Sequence, residues 1–314
     1  MRPPMFLPVA LTTAALALTA VDAAAVWRQP EPARPAIPVA PWSPPAWLEG
    51  ELAWSLPALD GPARHTTRAG APTVRARGAI LADLDRGEIL WARSPDVRRG
   101  VASVTKVVSA LTWVSQVQSP DLLARHCVDY ELWPSRPGAM SRFSTGDCPT
   151  AAELVGAALV HSDNRGAMAF PVLSGLPYDA FLREMNEVSA QLGMNAEWQD
   201  PTGLLDDNQA SPRAMLKAIV AAASTPLLAD LTTAPVWAID RDGGKLPLGS
   251  TNRLRERWET LAAKTGYTDT AGYCFATVLR TDDGRTLAAV VLGSPTEQSR
   301  FDDTRRMVEW AEAR

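Results

Sequence analysis

The sequence segment Ser103-Val104-Thr105-Lys106 sets a hydroxyl and an amine three residues apart. Val101 to Val117 is apolar and free of Gly and Pro, so the pair falls on an expected helix starting near Ala102 or Ser103, where i and i+3 share a face. A serine hydroxyl is a weak nucleophile until a neighbour takes its proton. A lysine can do so only when neutral, and desolvation, a helix N-terminus or a second cation each lower its pKa. Taken alone, Ser-x-x-Lys is also what an ordinary amphipathic helix with a surface lysine writes. Composition sharpens the reading, because lysine occurs only at 106, 217, 245 and 264, against 27 arginines. Arginine serves wherever a generic positive charge suffices and does not lose its proton, so a lysine kept at 106 is informative.

Two further constellations complete a set. Ser162-Asp163-Asn164 follows an apolar helical segment; its hydroxyl can relay a proton and its amide can orient Lys106 or a substrate amide. Lys264-Thr265-Gly266-Tyr267 stands before an expected strand, where an ammonium and a hydroxyl can hold a carboxylate and glycine admits substrate close to the backbone. Each alone also reads as a polar turn. The roles divide by chemistry: a base at 106 must give up a proton, whereas a carboxylate-binding cation at 264 need only stay charged.

The elements that must position these groups are legible in outline. Gly78 to Leu84 and Glu88 to Ala92 flank Asp85-Arg86-Gly87 as a hairpin, and Gly272 to Arg280 and Thr286 to Gly293 flank Thr281-Asp282-Asp283-Gly284 as another. Leu154 to Val160, Tyr178 to Leu192 and Glu297 to Ala313 read as helices. Strands at both ends with helices between them predict an α+β fold, an antiparallel sheet built jointly by the N- and C-terminal segments and packed with helices, plus a helical subdomain at about residues 119–235.

The 314 residues are 46% hydrophobic and 21% charged, a composition that supports a core and excludes a disordered chain. A net charge of −4 gives no electrostatic reason to bind nucleic acid. Arg2, the apolar run Met5 to Ala20 and the small residues after Asp22 read as a signal peptide over 1–25, which places the protein outside the cytoplasm, in the periplasm. The run is short of the ~20 residues of a spanning helix, so membrane contact follows only if this segment stays uncleaved. Residues 26–72 read as a proline-rich tether carrying Trp27, Trp42, Trp47 and Trp54, and 73–314 as the folded domain. In an exported chain disulfides persist; Cys127 and Cys148 bracket a loop with Pro134, Pro137, Gly138 and Gly146 and are the expected pair, with Cys274 left as a thiol on a strand. With no C-x-x-C, no H-E-x-x-H and three histidines (His65, His126, His161), no metal is implied. G-x-S-x-G, G-x-x-x-x-G-K and G-x-G-x-x-G are absent too.

Found together in order, Ser-x-x-Lys, Ser-x-Asn and Lys-Thr-Gly match the penicillin-binding-protein and serine β-lactamase set. From about Arg77 to Trp310 the chain resembles the low-molecular-weight penicillin-binding proteins that are D-alanyl-D-alanine carboxypeptidases, and in particular their short DD-endopeptidase branch. The resemblance rests on Ser94 to Lys106, His161 to Arg165, Leu192-Gly-Met-Asn195, Asp200-Pro-Thr-Gly-Leu204, Ser250-Thr-Asn-Arg-Leu254 and Ala263 to Thr268 running into Ala271-Gly-Tyr-Cys274. The closing helix at Arg314, without a further β-rich domain, is read as favouring the short branch, while Ser211-Pro-Arg-Ala-Met departs from the family's usual text. The resemblance implies a serine DD-peptidase acting on peptidoglycan stem peptides, cleaving D-alanyl bonds in cross-links, terminal D-alanine, or both. Ser103 is the implied nucleophile, Lys106 its base, Ser162 the proton relay and Asn164 the orienting amide. Lys264, Thr265, Gly266 and Tyr267 are the implied substrate-binding residues, no cofactor is implied, and β-lactams are the implied acylating inhibitors. Two alternatives remain: a serine β-lactamase, for which Glu197 and Asp200 lie in the stretch where a deacylating acid is needed, and a non-catalytic wall-binding homologue.

Overall fold

The first strand, β1 (Gly78–Asp83), is buried at all six positions, so it does not alternate between core and solvent. Its side chains alternate between two cores instead: Ile80 and Ala82 pack into one cluster with Val104, Val107 and Ile219, and Ala79 and Leu81 into another with Phe275, Phe301 and Met307. A strand with helices on both faces is what such a run requires. In the computed structural model, which describes residues 57–63, 70–117, 119–129 and 141–314, β1 pairs with β2 (Glu88–Arg93) across a turn with Gly87 at φ +64°.

After β2 the chain makes the short β3 (Arg99–Gly100), a 3₁₀ turn (Ala102–Val104) and helix α1 (Thr105–Gln116), in which ten of twelve residues are buried. Next come α2 (Ala151–Val160), α3 (Asn164–Met168), α4 (Phe170–Leu173), α5 (Tyr178–Gln191), β4 (Ala196–Glu197), β5 (Gln209–Ala210), α6 (Pro212–Ala223) and α7 (Pro226–Thr233). A hairpin, β6 (Val236–Arg241) with β7 (Gly244–Gly249), leads into β8 (Glu259–Thr268), β9 (Gly272–Arg280), β10 (Thr286–Ser294) and the last helix, α8 (Glu297–Glu312). The main sheet is antiparallel in the order β2-β1-β10-β9-β8, with Ile80 opposite Val290. N- and C-terminal segments thus share one sheet, as the sequence predicts, and β8 forms its edge.

Local signals explain several boundaries. Thr150 and Glu153 form a reciprocal capping box at the start of α2, and Thr296 with Ser299 does the same for α8. The fully buried Asp303 of α8 accepts the backbone N–H groups of Arg75 and Ala76 and so fixes the approach to β1. Cys127 and Cys148 are joined, and backbone bonds from Val128 to Asp147 and from His126 to Pro149 run alongside them. Cys274 is a buried thiol, its pKa pushed up to about 11 chiefly by burial.

The packed domain begins upstream of residue 73. A 3₁₀ turn at Pro57–Asp60 places Leu59 wholly inside the larger core. Arg213 donates to the carbonyls of Leu59 and Gly61, and Lys217 pairs with Asp60 at 2.7 Å. This stretch of the expected tether therefore packs against α6. The expected signal peptide and the tether tryptophans lie outside the described residues. Because Leu59 is fully buried, Leu59→Ala should cost about 2–5 kcal/mol in urea unfolding; a change under about 0.5 kcal/mol would show that the domain does begin downstream.

Candidate active site

Ser103 lies on the 3₁₀ turn that runs directly into α1, with Ala102 at φ +49°. Two glycines allow the packing around that turn. A Cβ on Gly266 would stand 3.0 Å from the backbone nitrogens of both Ser103 and Val104, and one on Gly203, at φ +82°, only 2.0 Å from the carbonyl oxygen of Ala102. Lys-Thr-Gly on the edge strand and the Gly203 loop thus close on the serine from two sides, and any side chain there would displace backbone.

Lys106, the second residue of α1 and one turn on from Ser103, is fully buried. Its Nζ lies 2.7 Å from Ser103 Oγ, 2.9 Å from Asn164 Oδ1 and 2.8 Å from the carbonyl of Thr202. Burial lowers its pKa from 10.5 to about 7, against the opposing fields of Asp200 and Asp163. Near neutrality the amine therefore exists in both forms, and in the neutral form it can accept the Ser103 proton.

Ser162 occupies the left-handed region at φ +67°, immediately before Asp163. Asp163 is the N-cap of α3, accepting from Gly166 N at 2.9 Å, and it also takes Ser141 Oγ and Arg142 N. Its carboxylate thus ties the loop closed by the Cys127–Cys148 disulfide to the turn carrying Ser162 and Asn164. Lys264 Nζ, also buried, donates to Ser162 Oγ and to the carbonyl of Thr265, each at 2.9 Å. Burial, then Lys106 and Arg300, hold Lys264 well below the ordinary amine range. Thr265 Oγ1 bonds Thr251 Oγ1 at 2.6 Å, and Gly266 O accepts from Arg300. Tyr267 is 47% exposed, stacks on Tyr273 at 4.2 Å and donates to Asp269, which raises its pKa to about 12.

The structure therefore holds Ser103, Lys106 and Asn164 in one hydrogen-bonded group and Ser162, Lys264 and Thr265 in another, the two meeting where Gly266 packs against Ser103, with Tyr267 next along the strand. It adds Thr202, Gly203, Thr251 and Arg300, which the motifs alone do not single out. Thr202 contributes a main-chain oxygen, and no residue type announces that; Thr251 stands in the Ser250-Thr-Asn segment, where its hydroxyl was the available signal. The acids of the β-lactamase alternative are otherwise engaged. Glu197 is exposed and paired with Arg98 at 2.5 Å. Asp200 is fully buried and accepts from Thr202 N, Thr202 Oγ1, Gly203 N, Leu205 N and Asn208 Nδ2, so it organises the loop that presents the Thr202 carbonyl to Lys106. Among the described residues, no group of three or more His, Cys, Asp or Glu side chains could hold a metal ion, and no single helix is long and apolar enough to cross a membrane.

The chain and its fold are similar to known proteins. The chain is 29% identical over 252 residues to the D-alanyl-D-alanine endopeptidase of Escherichia coli K12, covering 78% of this chain and 80% of that one. The D-alanyl-D-alanine endopeptidase of Pseudomonas aeruginosa PAO1 is likewise 29% identical over 254 residues, at 78% and 81% coverage. Among solved structures, a D-alanyl-D-alanine carboxypeptidase from Mycobacterium tuberculosis H37Rv shares the fold, with a TM-score of 0.70 and 24% identity over 80% of this chain and 97% of that chain. Penicillin-binding protein D2 of Listeria monocytogenes, solved in its cefotaxime-bound form, superposes with a TM-score of 0.66 and 25% identity over 76% and 98%. The sequence pattern of the D-alanyl-D-alanine carboxypeptidases matches residues 65–296, and on that match, spanning most of the sequence, the chain belongs to this family of serine-type peptidases.

Proposed function

We propose that the protein is a DD-peptidase working through an acyl-enzyme on Ser103. The observation that carries this reading is the 2.7 Å contact between Ser103 Oγ and a fully buried Lys106 whose pKa is brought to about 7. Ser103 Oγ attacks the carbonyl of a D-alanyl peptide bond while neutral Lys106 takes its proton. The oxyanion is held by the backbone N–H groups of Ser103 and Tyr267, an arrangement in which losing one donor costs about 10²–10³ in rate. Ser162 Oγ passes a proton to the leaving amine, the C–N bond breaks, and water later releases the acyl group. Asn164 holds the Lys106 amine in line. Lys264 and Thr265 bind the carboxylate on the leaving side, and an incoming carboxylate supplies the counter-charge that the buried Lys264 lacks.

The leaving amine belongs either to a terminal D-alanine or to a second stem peptide in a cross-link, and the endopeptidase names of the two relatives favour the cross-link. Peptidoglycan is the substrate on this reading, penicillins acylate Ser103, and the segment 1–25 directs export to the periplasm. The engagement of Asp200 and Glu197 elsewhere disfavours turnover of the drug, and a non-catalytic wall-binding protein would have no use for a desolvated lysine beside a serine.

Benzylpenicillin should add once to the wild-type chain by intact-mass spectrometry, with an adduct that persists, and not at all to Ser103→Ala; rapid release of hydrolysed drug would return the β-lactamase reading.

Lys106→Arg should acylate as poorly as Lys106→Ala, with each losing at least about 10²-fold, because arginine keeps its proton. The base is active when neutral, so wild-type kcat/KM should rise with pH to a plateau, with its acidic midpoint near 7. A flat profile from pH 5 to 9, or an active Lys106→Arg, would remove Lys106 from the role of base.

A further inference from the structure

Beyond Tyr267 lies a cavity of about 290 Å³ that the chemistry above does not use, lined among others by Arg75, Arg77, Tyr267, Asp269, Thr270 and Tyr273. Arg75 and Arg77 flank the buried Ala76 just before β1, and both side chains line the cavity. Asp303 fixes the backbone there through the N–H groups of Arg75 and Ala76. Both arginines are exposed, and among the described residues neither forms an ion pair. Other exposed arginines do: Arg253 with Glu297, Arg257 with Asp282, Arg305 with Asp302. The one acid in the lining, Asp269, accepts the Tyr267 hydroxyl, so two guanidiniums face a single engaged carboxylate above a floor of two stacked tyrosines. That is a setting for an anion.

Its position says which anion. Strand β8 is the open edge of the sheet, and Gly266 lies against Ser103. A substrate laid along that edge with its carbonyl at Ser103 has Lys264 and Thr265 on one side and Tyr267 to Thr270 on the other. With the leaving-side carboxylate at Lys264 and Thr265, the acyl portion runs toward the cavity, and at about 3.3 Å per residue the end of β8 at Thr268 stands roughly 7 Å beyond Gly266, with Asp269 and Thr270 in the turn that follows. In stem peptides the acyl D-alanine is preceded by a diamino acid and then by a γ-linked D-glutamate. The D-glutamate leaves its α-carboxylate free, and a diamino diacid adds a second free carboxylate at its side-chain end.

We propose that this cavity binds a free carboxylate of the stem peptide on the acyl side of the scissile bond, with Arg75 and Arg77 as its guanidinium partners and the Tyr267–Tyr273 stack as its floor. The inference rests on the peptidase reading of Ser103 and goes beyond it by naming what selects the substrate. An aqueous guanidinium pair of this kind discriminates through KM, since the contact is made equally in the ground and transition states.

The test is steady-state cleavage by the full chain of three stem peptides, each supplied both with a terminal D-alanyl-D-alanine and as the donor strand of a D-alanyl cross-linked dimer. One carries both carboxylates, one has the D-glutamyl α-carboxylate amidated, and one has lysine in place of the diamino diacid. In the wild type one of the two altered peptides should show a KM raised about tenfold, which names the carboxylate bound. In the Arg75→Gln, Arg77→Gln double variant that ratio should fall to about one, a within-variant comparison that a general loss of folded protein leaves untouched. Equal KM values for all three peptides in the wild type, or an unchanged ratio in the double variant, would overturn the assignment of the cavity while the peptidase reading stands. Cleavage of none of the three by the wild type would overturn the peptidase reading and the inference with it.

Discussion

A lysine amine held out of water against a serine hydroxyl is the constraint around which the rest of this molecule is arranged. Bringing a lysine pKa from 10.5 to about 7 corresponds to about 5 kcal/mol of preference for the neutral form over the charged one. The unfolded chain returns Lys106 to water and binds a proton that the folded chain does not. Folding therefore opposes that protonation, and the contribution of this residue to stability rises with pH between about 7 and 10.5. The surroundings offset the cost with three acceptors, Ser103 Oγ, Asn164 Oδ1 and the Thr202 carbonyl, so the amine is buried but never without a partner.

Each of those acceptors comes from a different part of the chain, and each is held by its own local device. Ser103 is fixed by the turn that starts α1 and by the close approach of Gly266 on β8. Asn164 begins α3, whose N-cap Asp163 also anchors Ser141 and Arg142. Thr202 is presented by a loop wound about the buried Asp200. The sheet makes the convergence possible. Pairing β1 with β10 joins the segment leading to Ser103 to the C-terminal strands, and the edge strand β8, which carries Lys264, meets the Ser103 turn at Gly266.

Much of this is legible in the residues themselves. The two hairpins, the shared sheet and the three motifs follow from turn residues, apolar runs and side-chain chemistry, all of them local. Other features are not local. Leu59 sits in a proline-rich stretch whose composition says linker, and only the tertiary structure shows its burial in the core beside α6. The scarcity of lysine points to 106 and 264, both of which are buried, yet Lys217 is also buried, in an ion pair with Asp60 and a bond to the Gly193 carbonyl that serve packing. Lys245 is exposed near Asp240. Retention of lysine thus marks burial with specific partners at three positions, and at two of them those partners include a serine hydroxyl, on which the proposed chemistry rests. The β6–β7 hairpin escapes a reading by pattern because its strands mix exposed apolar residues with Pro247 and pack on α2 through Trp237 against Gly156.

The rarity of lysine also makes the central claim directly measurable. With ¹³C label at the lysine ε-carbon, the folded protein presents four signals, assignable by substitution, and each reports its own titration. Lys106 should titrate with a midpoint near 7, more than three units below an ordinary lysine at about 10.4. A Lys106 signal that stays charged up to pH 10, in a protein that still takes up penicillin at Ser103, would show that the serine is activated by some group other than this amine.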